Sequence, residues 1–131
     1  MQRKQTLLFG VVMAIVTTLN FVPGISVVRD GTKLLFGIFQ VGPGLEVLHY
    51  VMAAALILGG LLARSTRGVL VATGTIFGLA AIVGWAQGDH VFGLLDVNLA
   101  DNALHTFFAL FLFTLAFALR DAPRVPAAVQ G

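Results

Sequence analysis

Glu46 and His49 stand three residues apart and Asp101 and His105 four apart, so on a helix each carboxylate shares a face with its imidazole. Ionisable residues inside an apolar helix are candidate functional groups because desolvating them is expensive. Three chemistries fit this constellation. His49, His105, Glu46 and Asp101 form a donor set for one divalent metal. That set is a sparser relative of the Glu-x-x-His pairs of di-iron bundles, with too few carboxylates for two metals. Alternatively, His49 and His105 ligate a haem iron from its two axial sides. In the third reading the groups are structural: each imidazole bonds a carboxylate, an outer-loop carbonyl or an amide such as Asn20 or Asn102. The polar cluster His49, His105, Asn98, Asp101 and Asn102 then ties loops to helices. This structural reading, with no cofactor, is the principal one.

Enzymatic chemistry finds little else to use. The chain has no cysteine, which excludes disulfides, thiolate metal sites and thiol catalysis. Ser26 and Ser65 fall in loops without an obvious base, and no Gly-rich phosphate cradle follows a strand. His90, beside Asp89, reads as a solvated loop residue. The expectation is a non-enzymatic accessory or structural module. A metal- or haem-binding protein is the alternative, and a small-solute transporter a second one, argued only from polar groups meeting at a repeat interface.

The elements that position these residues are transmembrane helices. Of the 131 residues, 58% are hydrophobic and 11% charged, far from the roughly 25% charged of soluble domains. Residues 45–63, 69–85 and 101–119 are each about long enough to cross a hydrocarbon core of ~30 Å. A fourth run, 6–22, follows Arg3 and Lys4; no small-x-small cleavage site follows it, so it reads as a retained span. The whole chain, 1–131, is then one all-α, four-helix transmembrane domain. Arg3, Lys4, Arg64, Arg67, Arg120 and Arg124 fall on one side, and Arg29 and Lys33 on the other, with Asp30, Glu46, Asp89, Asp96 and Asp101. The positive-inside rule places both termini in the cytoplasm of a multi-pass cell (inner) membrane protein. The pI near 9.7 is therefore a topology signal with no nucleic acid implied. The expected partners are the lipid bilayer and either another membrane protein or a second copy of this chain.

The two polar pairs belong to an internal repeat. At an offset of 56, Phe36 matches Phe92, Gly37 Gly93, Val41 Val97, Leu48 Leu104 and His49 His105. The match continues through Ala53 with Ala109, Leu56 with Leu112 and Arg64 with Arg120. Spans one and three align at an offset of 58, pairing Gly10 with Gly68 and Ala14 with Ala72. Two helix-loop-helix units running in the same direction imply a pseudo-two-fold axis along the membrane normal. Asn98 and Asp101 form a capping box at the start of the last span, and Gly42 and Pro43 take the N-cap and first helical positions of the second. Each histidine then lies seven residues past its cap, on a face shared with Ala53 and Gly60 or Ala109 and Ala116. Gly10, Ala14, Gly68, Ala72, Gly74 and Gly78 should mark the buried faces of spans one and three. The outer segments 23–44 and 86–100 are apolar enough to fold over the bundle as helical turns or extended pieces, with Tyr50 and Trp85 at the interface. The short turn 64–67 makes spans two and three antiparallel neighbours.

These segments carry a family likeness. Phe36-Gly37-Ile38-Phe39-x-Val41, Glu46-x-x-His49 and Val97-Asn98-Leu99-Ala100-Asp101-Asn102-Ala103-Leu104-His105 resemble a domain-of-unknown-function family of small four-helix membrane proteins common in actinobacteria. The family pattern has FG-x-F-x-V before H-N-x-x-H-L, and V-N-x-A-D-N-x-L-H before the last span. The second matches residue for residue. In the first, Leu45-Glu46 replace His-Asn and Tyr50 replaces Leu, so the earlier histidine of the pattern is missing here. The resemblance implies the four-helix fold and brings no activity with it.

Overall fold

The computed structural model describes residues 1–119, so Arg120 and Arg124 lie outside the described residues. Four helices dominate: α1 (Gln2–Leu19), α2 (Pro43–Leu62), α3 (Arg67–Gln87) and α4 (Leu99–Ala118). The helix starts follow the sequence. Gly42 is the N-cap of α2, with Pro43 at its first position. At α4, the Asn98 side chain accepts from Asp101 N–H at 3.0 Å, while Asn98 N–H donates to Asp101 Oδ2 at 2.9 Å. α2, α3 and α4 are long and apolar enough to cross a membrane. α1 is shorter, at 18 residues, and opens on Gln2, Arg3 and Lys4.

The chain is mostly helical rather than all-α, because both outer segments form small antiparallel sheets. The first is a three-stranded meander of β1 (Ser26–Arg29), β2 (Thr32–Leu35) and β3 (Phe39–Gln40). The second is a hairpin of β4 (His90–Val91) and β5 (Leu95–Asp96). Asp30 and Gly31, at φ 51° and 78°, make the two-residue turn between Arg29 and Thr32. Asp-Gly flanked by β-formers is a strong hairpin signal, because the turn twists as the strands do.

The repeated Phe-Gly segments are turns. Phe36 and Gly37 have φ 54° and 72°, and Phe92 and Gly93 have φ 53° and 65°. Each opens a three-residue loop, closed by Ile38 N–H to Leu35 O at 3.0 Å and by Leu94 N–H to Val91 O at 3.0 Å. Glycine accepts a left-handed conformation freely; phenylalanine does so at a cost of roughly 1–3 kcal/mol.

Each sheet seats on the helix that follows the other one. Gln40 N–H of β3 donates to Asp101 Oδ2 at 3.1 Å, and Asn98 Nδ2 donates to Ile38 O at 2.8 Å. In return, the second hairpin covers the start of α2: Leu45 is buried with Val91 and Val97, and Gly44 lies close against Leu94 O.

Below the sheets, α1 packs chiefly on α2 and α3 on α4. A β-carbon on Gly10 would come within 3.0 Å of Leu56 Cβ, and one on Gly74 within 3.3 Å of Leu112 Cβ. The packing of α1 and α3 does not follow the 58-residue alignment of the first and third apolar runs. Leu56 and Leu112 are 56 apart, but the glycines packed on them are 64 apart, whereas Gly68 faces open space. The buried positions agree: Gln2, Thr6, Gly10, Met13 and Thr17 of α1 correspond at +64 to Thr66, Leu70, Gly74, Phe77 and Ala81. Ala72, expected on a buried face, is exposed, while Ala53, Gly60, Ala109 and Ala116 are buried as expected.

The surface is inverted relative to a soluble protein. Leu8, Val11, Val12 and Ile15 of α1 are exposed, as are Val51, Leu58 and Leu61 of α2 and Ile82 of α3. Inside lie Gln2, Thr6, Thr17, Asn20, Thr73, Asp101, Asn102 and His105.

Candidate functional site

α2 and α4 each present a histidine at the same register, seven residues beyond the N-cap. The packing of the helices brings these two side chains together: the ring centroids of His49 and His105 are 5.8 Å apart, with planes at 78°. Phe77 of α3 packs on both, 6.1 Å from His49 and 5.6 Å from His105, and Phe108 packs on Phe77 in turn. His105 is 1% exposed.

Among the described residues the expected hydrogen bonds do not form at this pair, and His49 Nε2 and His105 Nδ1 are both buried without a partner. The groups expected to serve them are engaged elsewhere. Glu46 accepts from Asn20 Nδ2, and Asn20 Oδ1 accepts from Ser26 Oγ at 2.8 Å. Asp101 is held by the amides of Asn98 and Gln40. Asn102 Nδ2 donates to Gly88 O at 3.3 Å, and its Oδ1 is buried unpaired. The reason is geometric: a residue in the first turn of α2 or α4 reaches the helix cap and the outer sheet more easily than a ring one or more turns deeper. Leaving a buried polar atom unpaired costs roughly 1–3 kcal/mol, so this pair calls for a physical explanation.

The four-residue metal set therefore does not assemble. Among the described residues, no three His, Cys, Asp or Glu side chains gather so as to hold a metal ion. The cavity that His49 lines has a volume of about 140 Å3 and does not include His105. Pockets for drug-sized ligands run to roughly 300–1,000 Å3, and a porphyrin needs at least that.

The family model described as "Domain of unknown function (DUF4383)" matches residues 3–118. The chain belongs to the DUF4383 family. The matched segment of this DUF4383 chain takes in the four helices except for Gln2, both outer sheets and the histidine pair. No curated protein and no solved structure shows a significant match.

Several residues that shape the site are not conspicuous in the sequence. Phe77 sits among other apolar residues of α3, and only packing singles it out. Gly84 lets Asn102 approach its α-carbon. At the opposite end, Gln2 Nε2 donates to Leu115 O at 2.8 Å, and Thr66 Oγ1 donates to Gln2 Oε1 at 2.8 Å. Arg3 donates to Gly60 O at 2.6 Å and Ala63 O at 2.8 Å, satisfying carbonyls at the end of α2. The outer-loop His90 bonds Asp96 at 2.9 Å and stays exposed.

Proposed function

We propose that this chain is a four-pass, non-enzymatic module of the cell membrane, accessory or structural in role, built from two parallel helix-loop-helix units with both termini cytoplasmic. The observation that carries the reading is the inverted surface of α1, which has an inward stripe of Gln2, Thr6, Gly10, Met13 and Thr17 and an outward face of Leu8, Val11, Val12 and Ile15. In lipid the apolar face is satisfied, Gln2 finds partners inside, and Thr6 and Thr17 bond carbonyls of their own helix. This supports α1 as a fourth span despite its shorter length.

The repeat reading draws on the reciprocal seating of the sheets and on the matched glycine contacts. Its pseudo-two-fold would carry His49 onto His105 and Gly10 onto Gly74. The exchange of outer sheets makes neither unit complete without the other, a design suited to holding two helix pairs in fixed relation. All four helices run unbroken, unlike the discontinuous helices from which many secondary transporters build their sites.

Single cysteines at Ser65 and Asp89 test the topology. Impermeant maleimide should label Asp89→Cys from outside in intact cells, and Ser65→Cys only after permeabilisation. Labelling of both from one side would sink the four-pass arrangement. Mild-detergent purification with native mass analysis tests the role: a stoichiometric partner or a defined homo-oligomer supports a module, whereas turnover of a substrate by the isolated chain overturns it.

A further inference from the structure

The cavity beside His49 lies between α1, α2, α4 and the first outer sheet. Its wall carries four phenylalanines, Phe9, Phe36, Phe39 and Phe108, and one thioether, Met13, among valine and leucine side chains. Flat π-faces and a polarizable sulfur suit an aromatic ring better than a branched aliphatic group. Size points the same way. About 140 Å3 is close to the engineered ~150 Å3 apolar cavity that takes up benzene, and it is too small for a larger head.

The cavity also has an entrance and a polar group to spare. Val12 and Val16 line it and are 47% and 38% exposed on the apolar outer face of α1, so it opens toward lipid. α1 meets α4 lower down, where Phe9 packs on Phe108 and Phe111 and Gln2 bonds Leu115 O, and Val12 and Val16 lie above these contacts. Of the polar side chains on the wall, Glu46 and Asp101 are already bonded, whereas the His49 imidazole makes no hydrogen bond among the described residues. Finally, the space is particular to one half of the molecule. At the position 64 residues on from Met13 stands Phe77, fully buried against both histidines, so the second half fills with its own ring what the first half leaves open.

We propose that this cavity binds the hydroxyl-bearing aromatic ring of a membrane-dissolved amphiphile, a phenol or hydroquinone whose hydroxyl bonds His49 and whose tail leaves between α1 and α4 into the bilayer. The ring takes the place that Phe77 occupies in the other half. The ligand arrives through lipid, so the inference rests on the membrane reading. It does not depend on which side the termini face, which the cysteine labelling decides separately.

The test is titration of the full chain in lipid nanodiscs, with 15N-labelled histidine, using 4-ethylphenol and its hydroxyl-free match ethylbenzene. The His49 resonance should shift saturably with 4-ethylphenol while exposed His90 stays still. Half-saturation with ethylbenzene should need roughly fivefold more, the worth of one hydrogen bond. Met13→Phe, which plugs the cavity as Phe77 does, should abolish saturation. Shifts that rise without saturating, or that are equal for the two probes, would overturn the proposal, as would saturation undiminished in folded Met13→Phe. If that variant does not fold, the two wild-type titrations still decide the matter.

Discussion

Asn102 occupies the space that a β-carbon on Gly84 would need: its amide oxygen lies against the Gly84 α-carbon, with the amide nitrogen reaching Gly88 O. This contact sets how closely α3 approaches α4 just below the second hairpin. Gly84→Ala should therefore push Asn102 aside and break its bond to Gly88. A loss of about 1–3 kcal/mol is expected, read as an earlier unfolding midpoint in mixed micelles. Gly68→Ala on the same helix, where a β-carbon meets nothing within 4 Å, should lose no stability, which separates the clash from helix propensity.

His105 should tolerate loss of its imidazole chemistry. Because Nδ1 is buried and unpaired, His105→Phe keeps a ring against Phe77 and removes the orphan atom. The variant should be as stable as the wild type or gain up to about 1 kcal/mol. A loss above roughly 2 kcal/mol would show that the imidazole is bonded in the membrane, by a ligand or a water.

Phe92 spends backbone energy to stand at φ 53° in an exposed turn. Asn is far more at ease there, and Asn-Gly is the preferred pair for such turns. Phe92→Asn should stabilise the second hairpin by about 0.5–1 kcal/mol, seen as slower amide exchange at Leu94. Unchanged or faster exchange would mean that the Phe92 ring is anchored by lipid or a partner.

At the opposite end, Gln2 links α1 to α4 and to Thr66, ahead of α3. Gln2→Leu removes these bonds and leaves Thr66 Oγ1 without the acceptor it has in Gln2. Unfolding should come earlier by about 1–2 kcal/mol, and the same substitution at the neighbouring Lys4, which is exposed, should change nothing measurable.

Protein purified without chelator should contain metal only below stoichiometric amounts and show no Soret band, because Glu46 and Asp101 are engaged away from the histidines. Elemental analysis and an absorption spectrum check this. Near-unit zinc or iron that disappears in a His49→Ala, His105→Ala double variant would contradict it.

Local chemistry made much of this molecule legible in advance. The apolar runs mark the helices, since a backbone in lipid must satisfy itself. Gly42-Pro43 and Asn98-x-x-Asp101 mark where α2 and α4 begin, because caps depend on neighbours only a few residues away. The Phe-Gly segments and histidines matched at an offset of 56 do take like places, the first as positive-φ turns and the second seven residues past a helix cap. Even the first hairpin was written in Asp30-Gly31, a turn signal easily passed over in so apolar a chain.

Packing decided the rest. Apolar helices resemble one another at many offsets, so only packing shows that Gly10 on Leu56 and Gly74 on Leu112 make like contacts, 64 residues apart and not 58. The crossing of the sheets depends on bonds between residues some sixty positions apart, such as Gln40 with Asp101, which no local pattern encodes. The histidine pair shows the limit most sharply. Sequence spacing offered each imidazole a carboxylate one turn away, but those carboxylates have nearer claims, Glu46 on Asn20 and Asp101 on two backbone amides. A hydrogen bond goes to whichever donor the fold brings within reach, so only the assembled bundle could leave His49 and His105 side by side and unpaired.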